Sequence, residues 1–177
     1  FELEERPLSD IQELLYQANE IHEEEELTEG VWVQMVNPSE GEGEEYARKL
    51  DVDITDLLAA LDEEESSRIE LEDGYTLILV DIPTTEIRMD KEAYTTIPLG
   101  IILTKDAIIT VCTEDTPVLQ SFVLGRVKEF STKKRLRFVY QILFRIATLY
   151  QSALRIIDKK RTEIEERIDG DTEDIDL

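Results

Sequence analysis

The stretch from residue 97 to 112 constrains this chain most. It reads Ile97-Pro98-Leu99-Gly100-Ile101-Ile102-Leu103, then Thr104-Lys105-Asp106, then Ala107-Ile108-Ile109-Thr110-Val111-Cys112. Two apolar, β-branched runs around a short polar break predict two antiparallel strands joined by a tight turn. The runs are nearly continuous rather than alternating, so both faces of these strands are expected to be covered. A third run, 75–82, has the same character. The other segments are amphipathic and suit layers laid against such a sheet, which predicts an α/β domain.

Charge narrows the partners. The 177 residues hold 42 acids and 19 bases, a net charge of −23. Nucleic acid is excluded as a partner, because its affinity comes from phosphate neutralised by Lys and Arg. Docking on anionic lipid is disfavoured for the same reason. Divalent cations remain, although most of these carboxylates are expected only to keep the chain soluble. Cys112 is the single cysteine and is read as a small buried hydrophobe, so neither a disulfide framework nor a thiolate metal site fits. No apolar run approaches the ~20 residues of a membrane helix. The chain begins at Phe1 rather than Met and is expected to be a piece of a longer protein.

In chain order, residues 1–8 are expected to form a short edge strand. Ser9 and Gln12 resemble a capping box, and Ile11, Leu14, Leu15, Ala18 and Ile21 follow at helical spacing, predicting a helix that ends at His22. His22, beside Glu23-Glu24-Glu25-Glu26, is read as a solvated residue. Residues 31–36 alternate around Trp32 and predict a strand. Asn37-Pro38 predicts a helix start, with Asn37 as N-cap and Pro38 at the first helical position, strengthened by Ser39 and Glu42. Tyr46, Ala47 and Leu50 form the inner face of that helix. Gly41 and Gly43 are too few for a phosphate loop. Asp53 is expected to cap a further helix, with Ile54, Leu57, Leu58 and Leu61 inside. An acidic loop over 62–67, a short strand over 68–71 and a turn at Glu72-Asp73-Gly74 follow. Pro83 is expected to end the next strand, leaving 84–96 as a long polar loop.

Thr116-Pro117 predicts another capped helix, with Val118, Leu119, Phe122, Val123 and Val127 inside. The longest helix runs from 133 to about 168. Its expected inner face is Leu136, Val139, Ile142, Leu143, Ile146, Leu149, Tyr150, Ala153, Leu154 and Ile157. Beyond Asp158 alternating charges predict a solvated arm, ended by Gly170. The chain therefore divides into a sandwich domain over 1–130 and a helical arm over 131–177. Asp169-Gly170-Asp171-Thr172-Glu173-Asp174 lacks the glycine and glutamate of a calcium loop and is read as a disordered tail. One cysteine and one histidine supply no nucleophile and base, so no enzyme is expected.

Several of these stretches together resemble the amino-terminal cytoplasmic domain of the CorA-type magnesium and cobalt transporters. They are Val31-Trp32-Val33-Gln34-Met35-Val36-Asn37-Pro38, Ser67-Arg68-Ile69-Glu70 before Tyr75, the 98–111 hairpin and the long charged helix, in the family's order over roughly 30–168. The resemblance implies an α/β/α sandwich with a mixed, largely antiparallel central sheet and a long C-terminal helical arm, on the cytoplasmic face of the cell membrane. It implies the sensing part of a pentameric channel whose stalk, two membrane helices and Gly-Met-Asn pore motif lie beyond this chain. Contact with the membrane would come only through those helices. The chain alone would be a monomer or weak dimer. The family's closing ion is held by interfacial carboxylates on the acidic helix and a neighbour's stalk. The helix position falls near Ala59, so the candidate metal residues are Asp56 and Asp62, which flank it by one turn, with Mg2+ weakly bound and Co2+ or Zn2+ as alternatives. Competing readings are a non-catalytic acidic scaffold and a domain of a zinc-transporting relative. A carboxylate-based hydrolase has no support in the spacing.

Overall fold

The structure is a computed structural model that describes residues 12–17, 20–23, 27, 29–88 and 91–173. The expected strand over 1–8 lies outside them. Among the described residues seven strands form one sheet in the order β2-β1-β3-β7-β6-β5-β4. They are β1 (Gln12–Gln17), β2 (Glu20–Glu23), β3 (Val31–Val36), β4 (Arg68–Leu71), β5 (Tyr75–Arg88), β6 (Lys91–Thr104) and β7 (Ala107–Cys112). β3 and β7 pair in parallel, and the other described pairings are antiparallel. The helices are α1 (Glu40–Leu50), α2 (Ile54–Leu58), continued by a 3-10 turn at Ala59–Leu61, α3 (Pro117–Val123) and α4 (Arg135–Glu173).

The 97–112 hairpin forms as its composition dictates, with Leu103 paired to Ile108 next to the turn. Its near-continuous apolar runs are explained by cover on both faces. On one face Trp32, Leu99, Ile101 and Ile108 pack with Phe122 of α3, Phe130, and Phe138, Ile142 and Ile146 of α4. On the other, Val31, Val33, Leu77, Leu79, Ile102 and Ile109 pack with Ala47, Leu57 and Ala60 of the α1–α2 layer. The Trp32 ring sits among Phe122, Phe130 and Phe138 at edge-on angles, and its Nε1–H donates to Thr110 Oγ1 at 2.9 Å. The molecule is thus an α/β/α sandwich with a mixed, largely antiparallel sheet and a long C-terminal helix.

Several sequence expectations give way. The helix expected from Ser9 to Ile21 is instead the β1–β2 hairpin, with His22 paired to Leu15, and β1 pairs with the edge of β3 that β7 leaves open. An open edge offers a row of backbone partners that a marginal helix cannot match. The cap of α1 is Ser39 rather than Asn37: Ser39 N–H donates to Glu42 Oε2 at 2.7 Å, while Glu42 N–H donates back to Ser39 Oγ at 3.3 Å. Asn37 instead takes a left-handed φ of 47° as the chain leaves β3, a conformation asparagine tolerates.

Pro83 does not end β5, and most of 84–96 is strand rather than loop. Pro83 pairs with Thr96, and the β5–β6 ladder continues to Arg88 and Lys91. β4 accompanies β5 only as far as Leu79, so Pro83 lies where the outer edge carries no neighbour and no missing N–H is felt. Gly170 does not end α4, which runs to Glu173, so the 169–173 acids stand on helix. The inner face of α4 is narrower than expected. Phe138, absent from the expected face, is fully buried, whereas Leu136, Leu143, Leu154 and Ile157 are exposed, Leu136 by 76%. The stripe that meets the sheet is centred on Phe138, Ile142, Ile146 and Ala153.

Candidate functional site

One layer carries about a quarter of the 42 acids. Between residues 40 and 65 stand eleven carboxylates and two bases, Arg48 and Lys49. This is the α1–α2 side of the sheet. Two glycines set its packing. A Cβ on Gly43 would lie 2.9 Å from a Leu58 methyl, and one on Gly100 would lie 3.2 Å from Ala60 Cβ. α1 therefore closes on α2 at Gly43, and the 3-10 turn sits down on β6 at Gly100.

α2 is started by Asp53, whose Oδ1 accepts from Thr55 N–H at 2.8 Å and Thr55 Oγ1–H at 2.6 Å. Those two bonds hold the Asp53 carboxyl below its ordinary value. Asp56 lies one turn on and is half-buried. Its Oδ2 accepts the Tyr75 hydroxyl proton at 2.6 Å, and the same hydroxyl oxygen accepts Asp53 N–H at 3.3 Å. Burial, then the bond to Asp56, pushes the Tyr75 phenol up to about 12, so it remains a donor throughout the physiological range.

Asp62 is differently placed. The helix tightens to a 3-10 turn at Ala59, and Asp62 closes that turn with extended backbone, φ −89° and ψ 113°. The one-turn spacing that would set Asp56 and Asp62 on a common helix face does not extend to it. Asp62 is exposed, and its Oδ1 accepts Glu64 N–H at 3.0 Å. Ala59 itself is half-buried at the start of the turn. Nearby Glu65 and Glu70 are both engaged by the Arg68 guanidinium.

Among the described residues no three or more His, Cys, Asp or Glu side chains converge as a metal cage. Asp56 and Asp62 each keep one carboxylate oxygen outside the bonds described above. Such a donor set suits part of a Mg2+ shell, since magnesium is held by one or two carboxylates and keeps several waters. Cys112 is buried, and burial followed by the nearby Asp115 and Glu114 charges pushes its thiol up to about 12. That is the opposite of an activated nucleophile. Tyr75 is the residue sequence reasoning missed: its partner is 19 positions away on another element, and no spacing rule joins them.

On the far face, a groove of about 450 Å3 between α3 and α4 is lined by Val118, Val127, Tyr140, Phe144 and Leu149 and holds no carboxylate. No described helix is long and apolar enough to cross a membrane.

The cobalt/magnesium transport protein CorA of Methanocaldococcus jannaschii is 24% identical over 147 residues, 78% of this chain but 43% of that protein. The chain thus spans less than half the length of that relative. The soluble domain of the same CorA matches with a TM-score of 0.73 at 20% identity, over 90% of this chain and 64% of that one. The ZntB cytoplasmic domain from Vibrio parahaemolyticus matches with a TM-score of 0.64 at 13% identity, over 86% of this chain and 64% of that one. At these identities the structural likenesses establish the fold. The model of the CorA-like Mg2+ transporter protein family matches residues 28–177, and so this chain belongs to that family of metal-ion transporters.

Proposed function

We propose that this chain is the metal-sensing regulatory domain of a divalent-cation channel, carrying Mg2+ or Co2+, and that it hangs on the cytoplasmic face of the membrane from helices that follow Leu177. Family membership over 28–177 supports a transporter. The observation that carries the sensing role is the acidic α1–α2 layer, with Asp56 and Asp62 each offering one further oxygen. Like charges crowded on one layer repel, and a divalent ion relieves that repulsion most where carboxylates meet. Half a shell on each protomer makes the ion a bridge between neighbours in the whole protein, read here as a pentamer. The chain alone is then a monomer or weak dimer at micromolar concentration and binds Mg2+ weakly.

Ion choice follows from the donors. Carboxylate and water suit Mg2+, whereas zinc prefers imidazole and thiolate. The acidic layer has neither, which favours magnesium over the zinc-transporting alternative despite the likeness to the ZntB domain. The domain is read as having no catalytic activity, on the ground that one cysteine and one histidine supply no strong nucleophile and base.

The test is made in the full-length protein. Asp56→Asn with Asp62→Asn should keep the channel open at Mg2+ concentrations that close the parent. A lost coupling of about 1–3 kcal/mol moves the closing concentration roughly 5–150-fold. Flux measured against cytoplasmic Mg2+ decides it, and an unchanged closing concentration means that these two carboxylates are only solvated surface.

A further inference from the structure

We infer that α4 carries a docking surface for a second copy of this chain: the acid-rich arm of one copy lies antiparallel along the base-rich first half of the other's α4, and the exchange is reciprocal. The surface is a second apolar stripe on α4, apart from the one that meets the sheet. Leu136, Tyr140, Leu143, Leu154, Ile157 and Ile164 are exposed by 37–76%. Their spacings of four, three, eleven, three and seven residues keep one heptad phase. Ala147, exposed, and Tyr150, half-buried, hold the positions between, and Arg161 interrupts the phase once. A helix in water gains nothing from such a repeat, whereas a second helix packs along it.

Beside the stripe lies an uncovered strip of sheet. Ile69 of β4 is paired with Ile78, whose side chain packs toward α4, so Ile69 shares that face and Leu71 follows two residues on. They are exposed by 67% and 81%. A cleft of about 430 Å3 lies between the β4–β5 turn and the start of α4, lined by Thr76, Leu103 and Leu136. The strip suits one bare helix laid beside α4, and the arm past Ala153 is such a helix, running to Glu173. Charge selects the arm and its direction. Residues 133–155 hold six bases and no acid, whereas 162–173 hold six acids and one base, Arg167. Two copies in parallel would set base on base and acid on acid. Antiparallel, each arm meets opposite charge, with apolar stripe on apolar stripe. The two helices then cross near residue 155. A two-fold contact of this kind does not close a five-fold ring, so the pair belongs to the chain on its own. It needs no metal, and its failure would leave the ion-sensing reading standing.

Sedimentation of the 177-residue chain from micromolar to millimolar concentration should show monomer and dimer in equilibrium. Ile164→Lys alters an exposed position, so thermal melts should show the fold intact, while the dimer weakens by about tenfold or more. Glu165→Lys with Glu166→Lys lowers the net charge of each copy. It should nonetheless weaken the dimer by about tenfold, because acid on the arm faces base on the partner helix. Spin labels report the direction, and Cys112 is buried and stays unlabelled. Labels placed by Asp158→Cys should lie close together across the dimer. Those placed by Glu166→Cys should lie about 30 Å apart along the helices, at about 1.5 Å of rise per residue. A chain that stays monomeric at millimolar concentration leaves the stripe to a helix from elsewhere and overturns the inference. So does a dimer that Ile164→Lys leaves unchanged, or one that the double lysine variant leaves unchanged or tightens. Equal label distances at the two positions mean parallel pairing and overturn it too.

Discussion

The two glycines of α1 show how far one residue's surroundings decide its effect. Gly41 and Gly43 are two positions apart on the same helix. An added methyl on Gly41 meets nothing within 4 Å, whereas on Gly43 it runs into the isobutyl group of Leu58. Ala is the better helix former by up to about 1 kcal/mol. Gly41→Ala should therefore stabilise the chain by about 0.5–1 kcal/mol. Gly43→Ala should destabilise it by about 1 kcal/mol net, since overpacking costs typically 1–3 kcal/mol. Urea denaturation of the two variants, followed by the fluorescence of Trp32, checks the opposite signs. Because Leu58 ends the helix that carries Asp56, Gly43→Ala should also disturb the candidate metal residue. Both glycines lie within α1. Sequence reasoning had no means of seeing their packing, because Leu58 meets Gly43 only once the two helices are folded together.

Among the elements, legibility followed how strongly each segment's own pattern excluded alternatives. The 97–112 hairpin was readable because two unbroken β-branched runs fit little else. The Asp53 and Thr116 caps were readable because each is a local bond, to Thr55 and to Val118. The β1–β2 hairpin was not, because Leu14, Leu15 and Ile21 also satisfy helical spacing and the deciding factor, the open edge of β3, lies elsewhere in the chain. Pro83 misled because its tolerance depends on how far β4 accompanies β5. At α1 the reciprocal Ser39–Glu42 pair gives a direct test. Ser39→Ala should cost about 0.5–2 kcal/mol. The Ser39 amide and then its hydroxyl hold the Glu42 carboxyl below its ordinary value. A carboxyl depressed in the folded state stabilises above its unfolded pKa, and that contribution is lost as pH falls through the folded value. Melting curves of Ser39→Ala and the parent should therefore differ most near neutral pH, and the difference should narrow in acid without closing, because the bond from Glu42 N–H to Ser39 Oγ does not titrate.

At the scale of the whole molecule, charge is unevenly spread. Residues 118–157 carry eight bases and one acid, Glu129, within a chain whose net charge is −23. The rest is correspondingly crowded with negative charge, and that crowding strains the compact state. Raising salt from about 0.01 to 0.1 M, which shortens the screening length from about 30 to 10 Å, should raise the melting temperature. Calorimetry showing a fall would mean that attraction between the basic segment and the acidic remainder outweighs repulsion. The α4 helix adds a mechanical consequence. Its 39 residues make a rod about 58 Å long. The rod is clamped in the core by Phe138, Ile142, Ile146 and Ala153, and Lys160 still rides over the Tyr94 ring at 5.6 Å. Past Ala153 about 30 Å of it stands clear of the core. A tilt of about 5° at the clamp would swing the far end by roughly 2.5 Å, so a repacking too small to notice in the core arrives at the tip as a displacement the size of a hydrogen bond.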